Sequence, residues 1–416
     1  MNEPGAQLAV RDTCRACGGR NLHLFLNLGE VPLANAFLTS EQLHEPEPRF
    51  PLQVYFCQDC WLVQLMHVVS PEILFSNYLY RTGTNATIIR HNNALAQSVV
   101  RELELGAKDL VVEIASNDGS LLGAFRESGV RTLGVEPATN IAALAREAGI
   151  DTINEFFDAP LAARIIKEHG AASAVLANNV LAHVDATTDF LAACAALLKP
   201  SGRVIIEAPY LAEMLERFEY DTIYHEHLCY FAVRPLLRLF ERAGLELERV
   251  DRVEIHGGSL RLWGRPTTGA GHGAQVQEMA EQEKQAGFGE LGTYRVFAEH
   301  VARNREQLLE MLGGFHAAGK TVAGYGAPAK GNTLLCYCGV DTSLLPWTVD
   351  RSPLKIGMFT PGSHIPVYPA ERLLAEPPDY VVILAWNFAK EIMDYLQPCR
   401  ERGTRFVLPI PEPRVI

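Results

Sequence analysis

Long apolar runs are missing from this chain of 416 residues, and with them any segment of the length needed to cross a bilayer. The stretch MNEPGAQLAVRD lacks the basic start and apolar core of a secretory leader. Positive charge is the scarcer sign: 37 Lys and Arg stand against 49 Asp and Glu, a formal charge of −12, which argues against nucleic acid as the main partner. There is no low-complexity tract and no short repeat. Five of the nine cysteines (Cys194, Cys229, Cys336, Cys338 and Cys399) lie in apolar or mixed surroundings without metal-ligand spacing. These absences leave a soluble globular protein of two or three domains. A reducing cytoplasm is the expected location, with no membrane partner and a monomer as the expected state.

The other four cysteines are the strongest signal present. Cys14 and Cys17 form one C-x2-C unit, CRACG, and Cys57 and Cys60 a second, FCQDC. The spacing lets both thiolates of a unit face one ion, and two units complete a tetrahedral shell with no open position. Such zinc builds structure and does no chemistry. Residues 1–68 are therefore read as a zinc module.

An alternation of strands and helices begins at Asp109. Asp109–Ile114 is an almost continuous apolar run, as a strand buried on both faces requires. Ser120–Glu127 reads as a helix, and Arg131–Val135, Ala172–Ala177 and Arg203–Ile206 read as further strands, with a helix at Phe190–Leu198. Residues 245–264 flank Gly257-Gly258, a two-residue hairpin signal, so the parallel sheet is expected to end in an antiparallel hairpin. Residues from about 274 to 317 carry a helical stripe, Tyr294, Phe297, Val301, Leu308 and Leu312, best read as packing between lobes. A second α/β alternation follows, with strands at Thr321–Gly324, Trp347–Val349, Tyr380–Ala385 and Arg405–Leu408.

The first strand ends in Glu113-Ile-Ala-Ser-Asn-Asp-Gly119, at the crevice where open α/β sheets bind ligands. The glycines of a dinucleotide fingerprint are absent; Ala115 and Asp118 stand there instead. Acidic groups repel pyrophosphate and suit a cation bearing hydroxyls. Glu136, with Pro137 after it, ends the second strand where a ribose-binding carboxylate usually sits. S-adenosylmethionine, with a sulfonium, an ammonium and a ribose, meets this description. Asn117 and Gly119 complete the turn, and Asn178 and Asn179 end a third strand at the same edge, placed to contact the amino-acid portion. The alternative is that Glu113 and Asp118 cap the helix.

Four pieces in order, C-x2-C…C-x2-C, EIASNDG, YHEHL at Tyr224–Leu228 and GYGAPAKGNT at Gly324–Thr333, make the chain resemble the sugar C-methyltransferases that act on nucleotide-linked 4-keto-deoxyhexoses. The resemblance covers the whole chain. It implies an α/β protein with an N-terminal zinc module, a central class I (Rossmann-like) methyltransferase domain at 69–265, and a C-terminal Rossmann-like domain at 266–416 that holds the nucleotide, a dTDP-sugar by expectation. It implies a general base at His227, with Tyr224, Glu226 and His183 beside it. Where the family usually has glycine, this chain has Ala115.

On an extended segment His225 and His227 point one way and Glu226 the other; on a turn all could converge. A His-x-His metal site lacks a third ligand, and His225, with no catalytic counterpart, is expected in solvent. A ketone's neighbouring carbon becomes nucleophilic only after losing a proton, which an imidazole can take near neutral pH. Tyr78 and Tyr80 either close over the sugar or pack between domains. Gly324, Tyr325, Gly326, Lys330 and Asn332 form a glycine-rich strand-to-helix turn suited to phosphate, with His256 and Arg261 as further substrate contacts unless Arg261 lies on a solvated face. Asp350 at the end of the next strand keeps a nicotinamide cofactor, and so a combined methyltransferase and ketoreductase, open as a second reading.

Overall fold

The computed structural model describes residues 7–75, 82–84, 86–255 and 257–416. Tyr78, Tyr80 and His256 lie outside the described residues.

The chain builds three layered units around a buried apolar cluster that runs through all of them, from Phe56 and Leu62 through Val112 and Leu176's neighbours Val175 and Ala177 to Leu334 and Leu345. The central sheet has seven strands in the order Leu245–Val253, Ser259–Pro266, Leu198–Pro209, Ala172–Asn178, Leu110–Ile114, Arg131–Val135, Thr152–Ile153. The last five are mutually parallel. All five residues of Leu110–Ile114 are buried, as an apolar run flanked by helices on both faces should be. Helix Ser120–Glu127 follows it, and helix Ala159–His169 is capped by the Asp158 carboxylate, which accepts from the Leu161 N–H at 2.8 Å. The strand order reverses between Leu110–Ile114 and Ala172–Asn178. That switch point leaves a crevice at the C-terminal ends of the strands.

The sheet ends in the expected antiparallel hairpin, but not with a two-residue turn. Val253 pairs with Ser259, so the loop spans 254–258. Gly257 and Gly258 are needed there for another reason. Both have positive φ, 98° and 117°, and a Cβ on Gly258 would lie 2.4 Å from Glu213.

The stripe over 274–317 is two helices, Ala274–Gln285 and Leu291–Ala317, broken where Gly287 adopts φ 81°. The stripe residues are buried: Phe56 of the zinc module stacks on Tyr294 at 4.4 Å between ring centroids. The C-terminal sheet runs Val367–Pro369, Thr348–Asp350, Val322–Tyr325, Tyr380–Ile383, Arg405–Leu408, Arg414–Val415, parallel except for its last pair.

The N-terminal module holds a four-stranded antiparallel sheet, and its composition could not be read from the sequence. Leu22–Val31, Phe50–Cys57 and Val63–Leu65 come from the module, but the fourth strand is Cys229–Tyr230, directly after the YHEHL motif. No helix among the described residues is long and apolar enough to cross a membrane.

Candidate active site

The crevice at the switch point opens into a cleft of about 570 Å³. Its floor is the strand ends of the central sheet. Its walls come from the 181–190 segment, the 222–227 turn and the start of the C-terminal lobe's glycine-rich helix. The structure gathers there residues more than 200 positions apart, from Glu113 to Lys330.

Acidic side chains at the strand ends line the cleft. Glu113 is buried on strand Leu110–Ile114, and burial pushes its carboxyl well above the usual carboxylate range, with Asp118 and Glu136 adding to the shift. Its Oε2 has no hydrogen-bond partner among the described residues, and neither has Oδ1 of Asn178, which also lines the cleft. Two buried acceptors left without donors are costly unless a ligand supplies them. A cation with N–H groups fits; a phosphate does not. Glu136 is also raised by burial, although its two oxygens accept from the Ala138 N–H at 2.8 Å and the Asn117 N–H at 2.9 Å. Each oxygen retains a lone pair for a hydroxyl donor. Pro137 lines the cleft beside it.

The backbone around these strand ends is held in the left-handed region at three non-glycine residues, Ala115 (φ 52°), Asn117 (φ 51°) and Asn179 (φ 56°). Such conformations cluster at ligand sites. Ala115 shows why glycine suits that position: its Cβ adds cost at a φ that glycine adopts freely. Asp118 does not line the cleft. Its carboxylate accepts from the Gly83 N–H at 2.8 Å and the Ser120 N–H at 3.3 Å, so it tethers residues 82–84 to the first turn of a helix. Gly119 (φ 74°) packs on Ile150, where a Cβ would come within 2.8 Å.

The cleft also carries two imidazoles. His183 and His227 meet edge to face with centroids 4.9 Å apart, and the Tyr224 ring lies 4.0 Å from His227. Burial lowers His183 to a pKa of about 4, so it is neutral at physiological pH. His227 Nδ1 stands 2.8 Å from the Thr222 carbonyl, which can only accept. Nδ1 therefore carries the proton, and in the neutral ring the lone pair is on Nε2.

The YHEH segment is a turn, closed by the His227 N–H donating to the Tyr224 carbonyl at 2.9 Å. Its side chains diverge. Glu226 is buried away from the cleft and accepts from Asn35 Nδ2 at 2.6 Å. His225 is not in solvent, as expected from the sequence, but 1% exposed beside the Phe50 carbonyl at 3.2 Å, with its pKa lowered to about 4 by burial. The fourth strand of the N-terminal sheet begins at Cys229, four residues later, and this docking buries the histidine.

On the C-terminal side only Lys330 of the glycine-rich turn lines the cleft. Its Nζ lies 3.4 Å from Glu219, whose carboxyl is raised to about 7, first by burial. Tyr325 is buried, Gly324 packs on Thr348, Gly326 supplies a positive φ of 91°, and Asn332 donates to the Ala34 carbonyl at 2.7 Å, bracing the N-terminal module. Asp350 accepts the Ala327 N–H at 2.7 Å. Arg261 is not on a solvated face: it donates to Glu207 at 2.7 Å, and Glu207 also meets His91 Nε2 at 2.8 Å. His91 and Glu207 line the cleft and were missed from the sequence. Glu207 was findable, since it follows the apolar run Val204–Ile206 as Asn178 follows its own strand.

The Sγ atoms of Cys14, Cys17, Cys57 and Cys60 all lie within 4.8 Å of one another, with Cys14 to Cys60 at 3.5 Å and Cys17 to Cys57 at 3.6 Å. A tetrahedron of about 2.3 Å Zn–S bonds has edges of about 3.8 Å, so the four thiols fit zinc.

Three domain families match the chain in turn: one named for zinc binding at residues 14–75, a methyltransferase domain at 88–250 and a C-methyltransferase C-terminal domain at 254–411. The C-methyltransferase NovU of Streptomyces niveus is 41% identical over 97% of each chain. A ubiquinone biosynthesis O-methyltransferase of Burkholderia pseudomallei is 28% identical over 35% of this chain and 68% of its own. Among solved structures, the magnesium protoporphyrin IX methyltransferase ChlM of Synechocystis PCC 6803, with bound S-adenosylmethionine, aligns over 44% of this chain and 85% of its own at 15% identity and a TM-score of 0.33.

Proposed function

Since the chain belongs to the C-methyltransferase family and is an S-adenosylmethionine-dependent enzyme, we propose that it methylates C3 of a nucleotide-linked 4-keto-deoxysugar through an enolate. The observation that carries this reading is the imidazole pair: a ring whose Nδ1–H is held by the Thr222 carbonyl, its centroid 4.9 Å from that of a second ring kept neutral by burial, both lining the cleft. Oxygen or nitrogen methylation needs no carbon acid, so exchange of the C3 hydrogen separates it from this reading.

His227 Nε2 takes the proton from C3, and the electron pair left behind moves onto the 4-keto oxygen. The Tyr224 hydroxyl and the neutral His183 ring donate to that oxygen as its charge develops; removing such a donor typically costs on the order of 100- to 1000-fold in rate. Bound S-adenosylmethionine supplies an electrophilic methyl group. Glu113 and Asn178 take the ammonium end and Glu136 the ribose. Four thiolates hold the zinc, which stabilises the N-terminal module. The glycine-rich lobe holds the nucleotide, with Lys330 exchanging Glu219 for phosphate. The units are 1–68, 69–265 and 266–416, acting in a reducing cytoplasm.

The test is exchange of the C3 hydrogen with deuterated water. The wild type washes deuterium into the keto-sugar, whereas His227→Ala loses both exchange and methyl transfer by about 100- to 10,000-fold with cofactor affinity retained. Near-normal turnover in that variant refutes the assignment.

A further inference from the structure

The metal knuckle and the imidazole pair are joined by a short, buried path. Arg15 lies between the ligands Cys14 and Cys17, and its side chain has no exposed surface. Its Nη1 donates to Gln64 Oε1 at 3.2 Å and to the Leu65 carbonyl, and its Nε donates to Asp185 Oδ1 at 3.0 Å. Arg11 donates to the other oxygen of Asp185 at 3.0 Å. Asp185 lines the cleft two residues after His183.

A second tether reaches the partner ring. Strand Val63–Leu65 pairs with Cys229–Tyr230, and the Leu65 N–H donates to the Leu228 carbonyl at 2.9 Å. The Leu228 N–H donates to the Ala182 carbonyl at 2.7 Å. Leu228 follows His227 and Ala182 precedes His183, so the backbones of the two rings are bonded to each other and both hang from the cysteine module.

We propose that Arg15 is a positioning residue through which the zinc knuckle sets His183 against His227, by way of Asp185. A buried arginine held on three sides cannot shift without losing charge-assisted bonds. Its backbone belongs to the Cys14–Cys17 turn, which supplies two of the four thiols that would hold the zinc. A carboxylate needed only for stability has no reason to sit in the cleft wall, and a misplacement of about 1 Å at reacting groups can cost on the order of 100-fold in rate. The rate consequence rests on the reading of His227 as base; the positional coupling does not.

The test uses the full-length, zinc-loaded protein with its histidines labelled with 15N. Asp185→Asn and Arg15→Lys keep one zinc per chain, shift the ring signals of His183 and His227, and lower kcat by about tenfold or more while cofactor KM stays within about threefold. The double variant is no worse than the poorer single one, because both act through one contact. Metal removal by a chelator moves the same ring signals in the wild type. Unshifted rings with kcat within about twofold in Asp185→Asn overturn the proposal, as do effects of the two substitutions that multiply. Should Arg15→Lys fail to fold, Asp185→Asn decides alone, since its side chain is 36% exposed. If His227→Ala loses exchange while Asp185→Asn is silent, the base stands and the coupling falls; shifted rings with an active His227→Ala give the reverse.

Discussion

Replacing Glu113 by Gln should weaken the cofactor and strengthen the fold at once. The carboxyl is buried, its Oε2 has no partner among the described residues, and its pKa is raised above the ordinary 4.5 by burial and by the charges of Asp118 and Glu136. A group whose folded pKa is raised contributes its full stability below the ordinary value and loses it as pH rises through the folded one. At neutral pH the unliganded wild type therefore carries the cost of ionising Glu113 or of keeping it protonated, and Glu113→Gln carries neither. The variant should melt higher than wild type near about pH 8, the gap closing towards about pH 4. Ligand binding has the opposite sign. A sulfonium and ammonium nearby favour the carboxylate, so binding to the wild type releases a proton and tightens as pH rises. A hydrogen bond to a charged group is worth about 1.5–3 kcal/mol, which predicts a loss of about 10- to 150-fold in affinity for Glu113→Gln at neutral pH. Calorimetric titration with S-adenosylmethionine across roughly pH 5 to 8, in buffers of different ionisation enthalpy, reads affinity and proton release together. Affinity within about twofold of wild type, or a variant that melts lower at every pH, would refute the assignment of Glu113 as the ammonium's partner.

Ala115→Gly relieves a left-handed alanine at φ 52°; since the conformation costs about 1–2 kcal/mol and glycine's extra unfolded entropy returns about 0.4–1 kcal/mol, denaturant titration should show a small gain or no change, and cofactor affinity should not fall. Lys330→Ala removes the nearer cation from Glu219, leaving only the more distant Arg217, and takes from Asp221 the favourable charge of Lys330, so the Glu219 pKa climbs above about 7 and stability drops with rising pH: a loss of about 1–3 kcal/mol near about pH 8 and little near about pH 5, read by urea melts. Cys57→Ser should abolish stoichiometric zinc and unfold the N-terminal sheet, seen as lost near-ultraviolet ellipticity and protease cleavage before residue 70 or so.

What the sequence could disclose depended on how local each signal is. The C-x2-C spacing and the apolar run read at Asp109–Ile114 are properties of a few neighbouring residues; the structure gathers the four thiols and forms the strand at Leu110–Ile114. The carboxylates at Glu113 and Glu136 were legible because parallel strands place their last residues along one edge. Lys330 and the imidazoles reached the same cleft from motifs far apart, but which side of each turn they face was not written locally. The YHEH segment is the instructive failure. Neither alternation nor convergence describes it, because the segment turns between a helical turn at Tyr220–Thr222 and a strand, Cys229–Tyr230, that the N-terminal sheet claims.

The sequence by itself determined the donor chemistry: four thiolates for a metal, acids and no glycine fingerprint for a cationic cofactor, and imidazoles able to carry a proton near neutral pH. Only the tertiary structure decided that Cys229–Tyr230 completes the N-terminal sheet, that Thr222 fixes the tautomer of His227, and that Arg15 touches Asp185. The physical reason is that such contacts join residues up to 170 positions apart. They exist only once burial has removed water and left each polar group to find its partner within the fold.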